Sequence, residues 1–457
     1  MAVDFNGQER GHRGPQESKP SATLKDGPTA NGTTKLSVCL ASPIFYPEYS
    51  GGATRFRRYV PGLHARGIQL DVLAVSLGSW KPYRRFAEGS AKRAELPKEA
   101  VDQRVWRVPL PVRNPCWQNT SVTRNAAMWR NKWIFESAVL ARCRNPATRP
   151  DLLIWRYPLA PISVRALTRL RRMELPMMRV VTMFGGPGGT GWKRWLKQRL
   201  FQVPFELLDC VVVSSGVMRD NLRNLGVESR IEVIPHGVDL NRFHPLTSGP
   251  STAPVRVRLG LDADHEVVLF VGPLRERKGV DLLAQAWDRV AADRPRAHLV
   301  LVGPEPEGTF AEQVRADLAR GRGADRVTFV GPVPDVEEYM RAADLFVFPS
   351  RREGMPNVVL EAFASGVPCI LTPFAGLSDD LGHPGEQFVL VDRDSTSLAE
   401  AMCKLLRDNE SRGAIADAGL HWAREYLDLE KSLDRLAELC RDLVQSKGPS
   451  QTPRSVR

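Results

Sequence analysis

Short apolar runs alternate along the chain with longer segments in which apolar residues recur at helical spacing. Runs of strand type occupy residues 36–45, 69–76, 151–155, 179–184, 210–215 and 231–239. The pattern restarts after residue 239, with runs at 266–272, 298–303, 326–331, 345–350 and 368–373. Such alternation predicts parallel sheets with helices on both faces. We therefore expect an α/β protein with two Rossmann-like domains, whose parallel sheets face each other across a cleft.

The restart of the pattern also suggests where the domains begin and end. Residues 1–34 are polar and rich in Gly, Pro, Ser and Thr, which is typical of a disordered tail. We expect an N-terminal domain at residues 35–245 and a C-terminal domain at residues 246–425. Residues 426–445 are expected to form a helix that crosses back to the N-terminal domain, and residues 446–457 a flexible tail. The Trp-rich segment 79–145 is less periodic, and its elements are not predicted.

Charge is unevenly distributed over the 457 residues. The whole chain carries a net charge of +12, but residues 35–239 alone carry +18 and residues 240–457 carry −6. Such an asymmetry is typical of separate domains. The basic domain is expected to meet an anionic partner, either a phosphate-bearing lipid or a nucleic acid.

Two absences narrow the class of protein. No run of about 18 apolar residues occurs, so the sequence predicts no membrane-spanning helix. The seven cysteines are scattered and form no C-x-x-C pair, which is typical of a reducing compartment and offers no zinc site. We therefore expect a cytoplasmic protein.

The most informative segment, residues 349–369, places two acids eight positions apart around a turn. Glu353 precedes the turn, and Glu361 lies inside the apolar helix that follows it. The preceding strand runs directly into this unit, so free backbone N–H groups and the positive helix end face whatever binds there. The pattern predicts a site for a nucleotide-sugar diphosphate.

Two other segments carry residues suited to phosphate. Gly51 and Gly52 follow the first strand, where glycine allows backbone N–H groups to approach a phosphate closely. Lys278 lies just beyond a later strand and is a compact cation that would stabilise a leaving diphosphate. An ordinary strand-to-helix turn and a solvated lysine are the alternative interpretations of these two features.

Five motifs in order resemble one known family. They lie at residues 43–75, 233–245, 271–283, 331–350 and 353–369, and the resemblance covers roughly residues 36–425. The chain resembles the retaining glycosyltransferases of GT-B fold, family 4, which act in bacterial polysaccharide and lipid-linked glycan synthesis. The resemblance implies that a UDP- or GDP-linked sugar binds the C-terminal domain and that the acceptor binds the N-terminal domain.

The resemblance also assigns roles to individual residues. Glu361 would accept hydrogen bonds from the ribose hydroxyls of the donor, and Glu353 would lie beside the transferred sugar as the catalytic residue. The main-chain N–H groups of Met355, Asn357 and Val358 are candidates for the diphosphate and the sugar.

One further position matches the family pattern, and two positions depart from it. The backbone at Val333 would meet the base. Pro273 stands where the family has an arginine that grips the diphosphate, and Arg275 or Arg277 is expected to replace it. Phe184 stands where the family has a histidine near the transferred sugar, and the glycine-rich residues that follow are a possible source of N–H groups.

Metal ligands are not evident in the sequence. No Asp-x-Asp pair follows a strand, and no cluster of His or Cys has ligand spacing. Lys278 and the helix ends can supply the positive charge that a divalent cation would otherwise supply. We therefore predict no cofactor and no essential metal.

The basic half contains one segment suited to a membrane surface. Residues 191–208 mix Trp192, Trp195 and Phe201 with four basic residues. Residues 53–60 add Arg55, Arg57 and Arg58. This composition is typical of a helix that rests on anionic lipid, although a packed helix with a solvated basic face has the same pattern. No nucleic-acid recognition motif accompanies the charge.

These inferences combine into one expected function with three rivals. We expect a retaining hexosyltransferase, peripheral on the inner face of the membrane, that transfers a sugar from a nucleotide donor to a glycan or lipid-linked acceptor. The rivals are a UDP-sugar epimerase of GT-B fold, a non-catalytic sugar-nucleotide-binding partner protein and a nucleic-acid-binding module.

Overall fold

A computed structural model describes residues 36–43, 51–75, 104–108, 122–156, 163–181, 203–246, 252–305 and 308–447. The described residues from Leu36 onward form one compact unit. Within it, two parallel sheets carry their own layers of helices, which confirms the predicted α/β fold class. The predicted tail at residues 1–34 lies outside the described residues, as does most of the predicted tail at residues 446–457.

The first sheet has seven strands, all parallel, in the order β3-β2-β1-β4-β5-β6-β7. The strands are β1 (Leu36–Ala41), β2 (Ile68–Val75), β3 (Val105–Val108), β4 (Leu152–Trp155), β5 (Met177–Val180), β6 (Cys210–Val213) and β7 (Arg230–Val233). Its helices include α1 (Gly51–Ala65), α2 (Val122–Arg144), α3 (Ser163–Arg171) and α4 (Gly216–Asn224). The central strands are buried on both faces, which is why they appear in the sequence as continuous apolar runs.

The second sheet has six parallel strands in the order β10-β9-β8-β11-β12-β13. These are β8 (Glu266–Val271), β9 (Ala297–Val302), β10 (Val327–Gly331), β11 (Leu345–Phe348), β12 (Cys369–Leu371) and β13 (Val389–Leu390). The later helices are α5 (Ala253–Arg258), α6 (Val280–Asp293), α7 (Thr309–Arg320), α8 (Val336–Ala342), α9 (Asn357–Ala364), α10 (Ser395–Arg407), α11 (Asn409–Tyr426) and α12 (Leu429–Gln445). In both sheets the strand order reverses beside the first strand, and ligands bind at this reversal in doubly wound sheets.

The predicted strands agree with the observed ones apart from their ends and three omissions. The run predicted at residues 179–184 belongs to a strand that begins earlier, at Met177, because two buried methionines extend it. Strands β3 and β13 and helix α2 were not predicted. The first two are only 4 and 2 residues long, and α2 has polar residues on its buried face.

The last helix packs against the helix layer of the first sheet. Leu433, Leu436 and Cys440 of α12 are buried in one apolar cluster with Phe56 and Leu63 of α1. At the rim, the Arg66 Nε donates to Asp434 Oδ1 at 2.7 Å, and its Nη2 donates to Glu430 Oε2 at 2.8 Å. No helix in the described part of the chain is long and apolar enough to cross a membrane.

The chain crosses between the sheets twice, and the two crossings touch. Val238 N donates to Leu427 O at 2.7 Å, and Leu429 N donates to Val238 O at 3.1 Å. A Cβ added to Gly237 would lie 2.2 Å from the Leu429 Cα, so the backbones meet with no room for a side chain.

A second link between the two halves caps a helix. Asp380 Oδ2 accepts from Gly216 N, the first residue of α4, at 2.7 Å. This carboxylate from the second sheet's side therefore caps a helix of the first.

One turn depends on a glycine that no other residue can replace. After β8 a 3₁₀ turn (Glu276–Lys278) leads into Gly279, whose φ of 70° is left-handed. A Cβ at this position would lie 1.8 Å from the Pro349 carbonyl oxygen, beyond the end of β11. The turn therefore holds Lys278 against the segment that follows β11.

We predict that Gly279→Ala lowers the free energy of unfolding by at least about 3 kcal/mol, because a left-handed alanine is strained and its Cβ overlaps Pro349. The matched control is Gly260→Ala, since Gly260 has a φ of 75° and no atom within 4 Å of an added Cβ. The control is expected to cost only about 1–2 kcal/mol. Equal losses in urea unfolding would contradict the close packing of the turn against Pro349.

A second prediction concerns a buried histidine in the same sheet. The His298 Nε2 lies 2.8 Å from the Thr328 Oγ1, and its ring stacks on His265 with 4.7 Å between centroids. Burial, together with His265, lowers the pKa of His298 to about 4. The unfolded chain therefore binds a proton between pH 6.5 and about 4 that the folded chain does not bind, and stability falls as the pH falls through this range.

Between pH 7 and pH 4.5, the free energy of unfolding is expected to fall by about 1–2 kcal/mol less in His298→Gln than in the wild type, after allowing for screening by solvent. The measurement is urea unfolding at pH 7 and pH 4.5 for the wild type, His298→Gln and a control, His64→Gln, whose histidine is exposed on α1. The same pH dependence in all three proteins would show that His298 titrates normally.

Candidate functional site

The candidate site lies where the strand order of the second sheet reverses. Strands β8 and β11 are neighbours in this sheet, and the segments after both lie at its carboxyl edge. The turn after β8 carries Lys278, and the segment after β11 carries Glu353 and leads into α9. The sheet therefore brings together residues that are 75 positions apart in the sequence.

One carboxylate oxygen organises the first half of the site. The Glu353 Oε1 lies 2.8 Å from the Lys278 Nζ, 3.0 Å from the Arg277 Nη1 and 3.0 Å from the Ser350 Oγ. Three donors to one oxygen hold the carboxylate in a single orientation. Glu353, Lys278 and Arg277, which were predicted separately, are thus in direct contact.

Lys278 is itself almost fully buried, with 8% of its surface exposed. Its Nζ lies 4.8 Å from the centre of the Phe348 ring. Burial lowers the pKa of Lys278, and the charge of Glu353 offsets part of this effect. The result is a desolvated cation whose field is little screened, which suits the binding of a polyanion.

The two arginines of this turn differ in position. Both are exposed, but Arg277 donates to Glu353. Pro273 precedes them and is half-buried. Of the two arginines considered for the missing family residue, Arg277 is therefore the one that reaches the site in this structure.

The second half of the site surrounds the start of α9. The Asn357 Oδ1 lies 3.0 Å from the Nδ1 of His236, and the Met355 Sδ accepts from the His236 backbone N–H at 3.4 Å. His236 is buried and belongs to the crossing segment between the sheets. His236 was not predicted as a site residue, although its position inside the motif at residues 233–245 was the available signal.

Glu361, one turn into α9, faces a side chain from the first sheet's layer. The Arg58 Nη2 lies 3.4 Å from the Glu361 Oε1, and the Arg58 guanidinium lies 5.5 Å from the centre of the Phe243 ring. Arg242 approaches the same ring at 5.2 Å. Burial raises the pKa of Glu361, because it outweighs the opposing charges of Arg58 and Arg242. Arg58 was predicted as part of a basic surface, but it points towards Glu361 instead.

The other predicted residues lie at the edges of this arrangement. Val333 and Val358 are half-buried and pack against the apolar core of the second sheet. Gly51 and Gly52 form the first turn of α1, so they belong to the helix and not to the turn before it. The two glycines were expected directly after the first strand, but β1 ends at Ala41 and α1 begins at Gly51. Their contact with a phosphate stays a prediction. Phe184, the glycines after it and residues 191–202 lie outside the described residues.

In the ranges that the structure describes, no three His, Cys, Asp or Glu side chains are grouped so that they could hold a metal ion. The positive charge of the site comes from Lys278, Arg277 and the N-terminus of α9.

Comparison with known proteins identifies the family. Residues 50–237 match the family described as "Glycosyl transferase 4-like domain", and residues 265–408 match "Glycosyl transferases group 1". Together the two matches span well over half of the chain, and each covers most of the strands of one sheet.

Two relatives and one solved structure illustrate the likeness. D-inositol 3-phosphate glycosyltransferase of Thermobispora bispora is 34% identical over 47% of this chain and 51% of its own length. The chain thus spans about half of that relative. The GDP-mannose-dependent monoacylated alpha-(1-6)-phosphatidylinositol monomannoside mannosyltransferase of Corynebacterium glutamicum is 29% identical, over 64% of this chain and 76% of its own length.

The solved structure is Anabaena Alr3699/HepE in complex with UDP. It superposes with a TM-score of 0.67 at 17% identity, over 89% of this chain and 100% of its own, which shows a shared fold. With two family matches in order, the two parallel sheets and the motifs placed at their carboxyl edges, the chain belongs to the GT-B glycosyltransferases of the family 4 type.

Proposed function

We propose that this protein is a retaining glycosyltransferase that takes a hexose from a UDP- or GDP-linked donor. The observation that supports this most directly is the contact between buried Lys278 and Glu353 at the strand-order reversal of the second sheet, followed by buried Glu361 on α9. The donors and acceptors there suit the three parts of a nucleotide sugar. The relative from C. glutamicum is named as GDP-mannose-dependent, and the Anabaena structure contains UDP.

The diphosphate is proposed to lie over Lys278 and the N-terminus of α9. Backbone N–H groups at Met355, Asn357 and Val358 are proposed to donate there, since the N-terminus of a helix carries partial positive charge and attracts anions. Negative charge develops on the leaving phosphate as the glycosidic bond breaks. A desolvated lysine in contact range stabilises this charge more than it stabilises the ground state, and this difference accelerates the reaction.

Glu361 is proposed to accept hydrogen bonds from the ribose hydroxyls. Its carboxylate is buried, so it would gain strong partners without further loss of solvation. The first sheet contributes α1, which has Gly51 and Gly52 at its start and Arg58 about 9 Å further along the helix axis. We therefore propose that α1 lies along the donor, with its N-terminus at the phosphate and Arg58 at the ribose end.

Glu353 is proposed to contact the hydroxyls of the transferred sugar through the oxygen that its three donors leave free. Its position is fixed by Ser350, Arg277 and Lys278, so it cannot move to act as a nucleophile without breaking these contacts. This favours retention by departure and attack on the same face, in which the leaving phosphate accepts the acceptor proton.

The acceptor is proposed to be a glycan or lipid-linked molecule bound by the basic N-terminal domain. The relative from C. glutamicum is named for a phosphatidylinositol mannoside acceptor. Helix α3 exposes Arg165, Arg169 and Arg171 on one domain surface. Such a surface would attract anionic lipid and hold the enzyme at the inner face of a membrane.

We predict that Lys278→Ala weakens the binding of UDP or GDP by about 10- to 100-fold, because one charge-assisted contact is lost. Glu361→Ala is expected to weaken the same ligands. Isothermal titration calorimetry on proteins with native circular dichroism provides the measurement, and Lys404→Ala, an exposed lysine on α10, is the matched control. Unchanged affinity in both site variants would reject the site. Tight binding without transfer to any acceptor would instead favour a non-catalytic binding protein.

Metal independence is proposed from the same charges. Lys278, Arg277 and the helix N-terminus can neutralise the diphosphate without a divalent cation. We expect sugar transfer to continue at an essentially unchanged rate in excess EDTA. Loss of transfer that is restored by Mg²⁺ would contradict this proposal.

A further inference from the structure

A group of buried polar side chains interrupts the apolar layer of the first sheet, away from the donor site. Lys132 and Glu136 lie one turn apart on α2, Ser163 begins α3, and Arg179 lies on β5. All four are at most 9% exposed. Their surroundings are the aliphatic and aromatic side chains of the cluster that covers this face of the sheet. Charged residues are rarely buried in such a layer without a reason.

Contacts within this group give hydrogen-bond or ion-pair partners to some of its side chains but not to the Arg179 guanidinium. The Ser163 Oγ donates to the Glu136 Oε1 at 2.7 Å, and the Lys132 Nζ lies 3.7 Å from the same oxygen. The Arg179 guanidinium stacks on Phe205, with its carbon 4.5 Å from the ring centre. Its Nε and Nη1 are fully buried and find no hydrogen-bond acceptor among the residues that the structure describes.

The charges of the group do not balance. Glu136 pairs with Lys132, and no carboxylate among the described residues pairs with Arg179. Burial lowers the pKa of Lys132 to about 8, with Glu136 opposing this shift and Arg179 adding to it. Burial alone lowers the pKa of Arg179 to about 9. A buried cation without a counter-charge is costly, so this place in the fold has a strong preference for an added anion.

The group lies where a ligand of the N-terminal domain would be expected. Arg179 is opposite Trp155, the last residue of β4, in the register of the sheet. Ser163 begins the helix that follows the same strand. The group is therefore near the carboxyl ends of β4 and β5, beside the strand-order reversal between β1 and β4. Parallel α/β sheets bind ligands at this edge.

We propose that Arg179, assisted by Lys132, forms an anion subsite that binds one phosphate group of the acceptor. Arginine donors match phosphate oxygens well, and two buried cations suit a phosphate better than a neutral hydroxyl. The assignment to the acceptor rests on the proposed glycosyltransferase function, whereas the anion site itself does not. A phosphate monoester on a soluble sugar and one on a lipid headgroup present the same chemistry.

The first test compares the unfolding temperature in inorganic phosphate with that in sodium chloride at the same ionic strength. The proteins are the wild type, Arg179→Met and the matched control Arg169→Met, whose arginine is exposed on α3. Without phosphate, Arg179→Met is expected to unfold at the same or a higher temperature, because the uncompensated charge is gone and methionine retains much of the volume. With phosphate, the wild type and the control gain several °C, and Arg179→Met gains less than a fifth of that shift.

Two results would overturn the proposal. A lower unfolding temperature for Arg179→Met, with no phosphate effect on the wild type, would mean that the arginine only packs against Phe205. Equal phosphate shifts in the wild type and Arg179→Met would place the bound ion elsewhere.

The donor site could also bind inorganic phosphate, so Lys278→Ala is measured in the same series. A shift that persists in Lys278→Ala and disappears in Arg179→Met assigns the ion to the new site, and the reverse pattern rejects it. UDP affinity should be unchanged in Arg179→Met. If UDP affinity is also unchanged in Lys278→Ala, the proposed function fails while the anion site stands.

The source of the phosphate is separated by a second comparison. Glycerol phosphate in solution is compared with vesicles that contain phosphatidic acid, using phosphatidylcholine vesicles as the control. An Arg179-dependent shift with glycerol phosphate indicates a soluble or flexible acceptor. Retention that depends on Arg179 and occurs only on phosphatidic acid vesicles indicates a lipid headgroup. If Arg179 has no effect in either arm, the assignment to the acceptor is contradicted.

Discussion

The contact between the buried ammonium group of Lys278 and the Glu353 carboxylate is the constraint on which the rest of the site depends. Burying two ions is costly, and the cost is recovered only with close geometry and additional donors. Both conditions are met here, because Ser350 and Arg277 donate to the same oxygen and the lysine lies against the face of Phe348. The geometry in turn requires β8 and β11 to be neighbours and the turn before α6 to be left-handed at Gly279. The chemistry and the packing of this edge therefore cannot be altered independently.

Much of the fold and half of the site could be predicted from the sequence, for a physical reason. Strands buried on both faces must be continuously apolar, and residues that follow such strands collect at one edge of a parallel sheet. This reasoning locates Lys278, Glu353 and Glu361. It does not locate Arg58 or His236, because they reach the site from the first sheet's helix layer and from the crossing segment, and only tertiary packing determines where they point. Arg179 was hidden for the same reason, since it occupies an apparently ordinary strand position.

The basic character of the first half has more than one origin. A net charge of +18 over residues 35–239 suggests an electropositive surface. The structure shows that part of this excess is internal, since Lys132 and Arg179 are buried and Arg58 is directed at Glu361 across the candidate site. Charge that is buried acts at short range on specific groups, whereas exposed charge acts at long range and is screened by salt. The two populations therefore serve different purposes, and composition alone does not separate them.

The double crossing at Val238 sets the mechanics of the molecule. Two backbone hydrogen bonds tie the outgoing and returning segments together, and Gly237 leaves no gap between them. A rotation of one sheet against the other must pivot about this fixed point, so displacements are smallest there and grow in proportion to distance from it. His236 lies beside the pivot and holds the start of α9, which makes that end of the site nearly stationary during such a rotation. Groups far from the pivot move on a longer lever arm, so opening and closing would change the site least at His236 and Asn357 and more at residues farther from Val238.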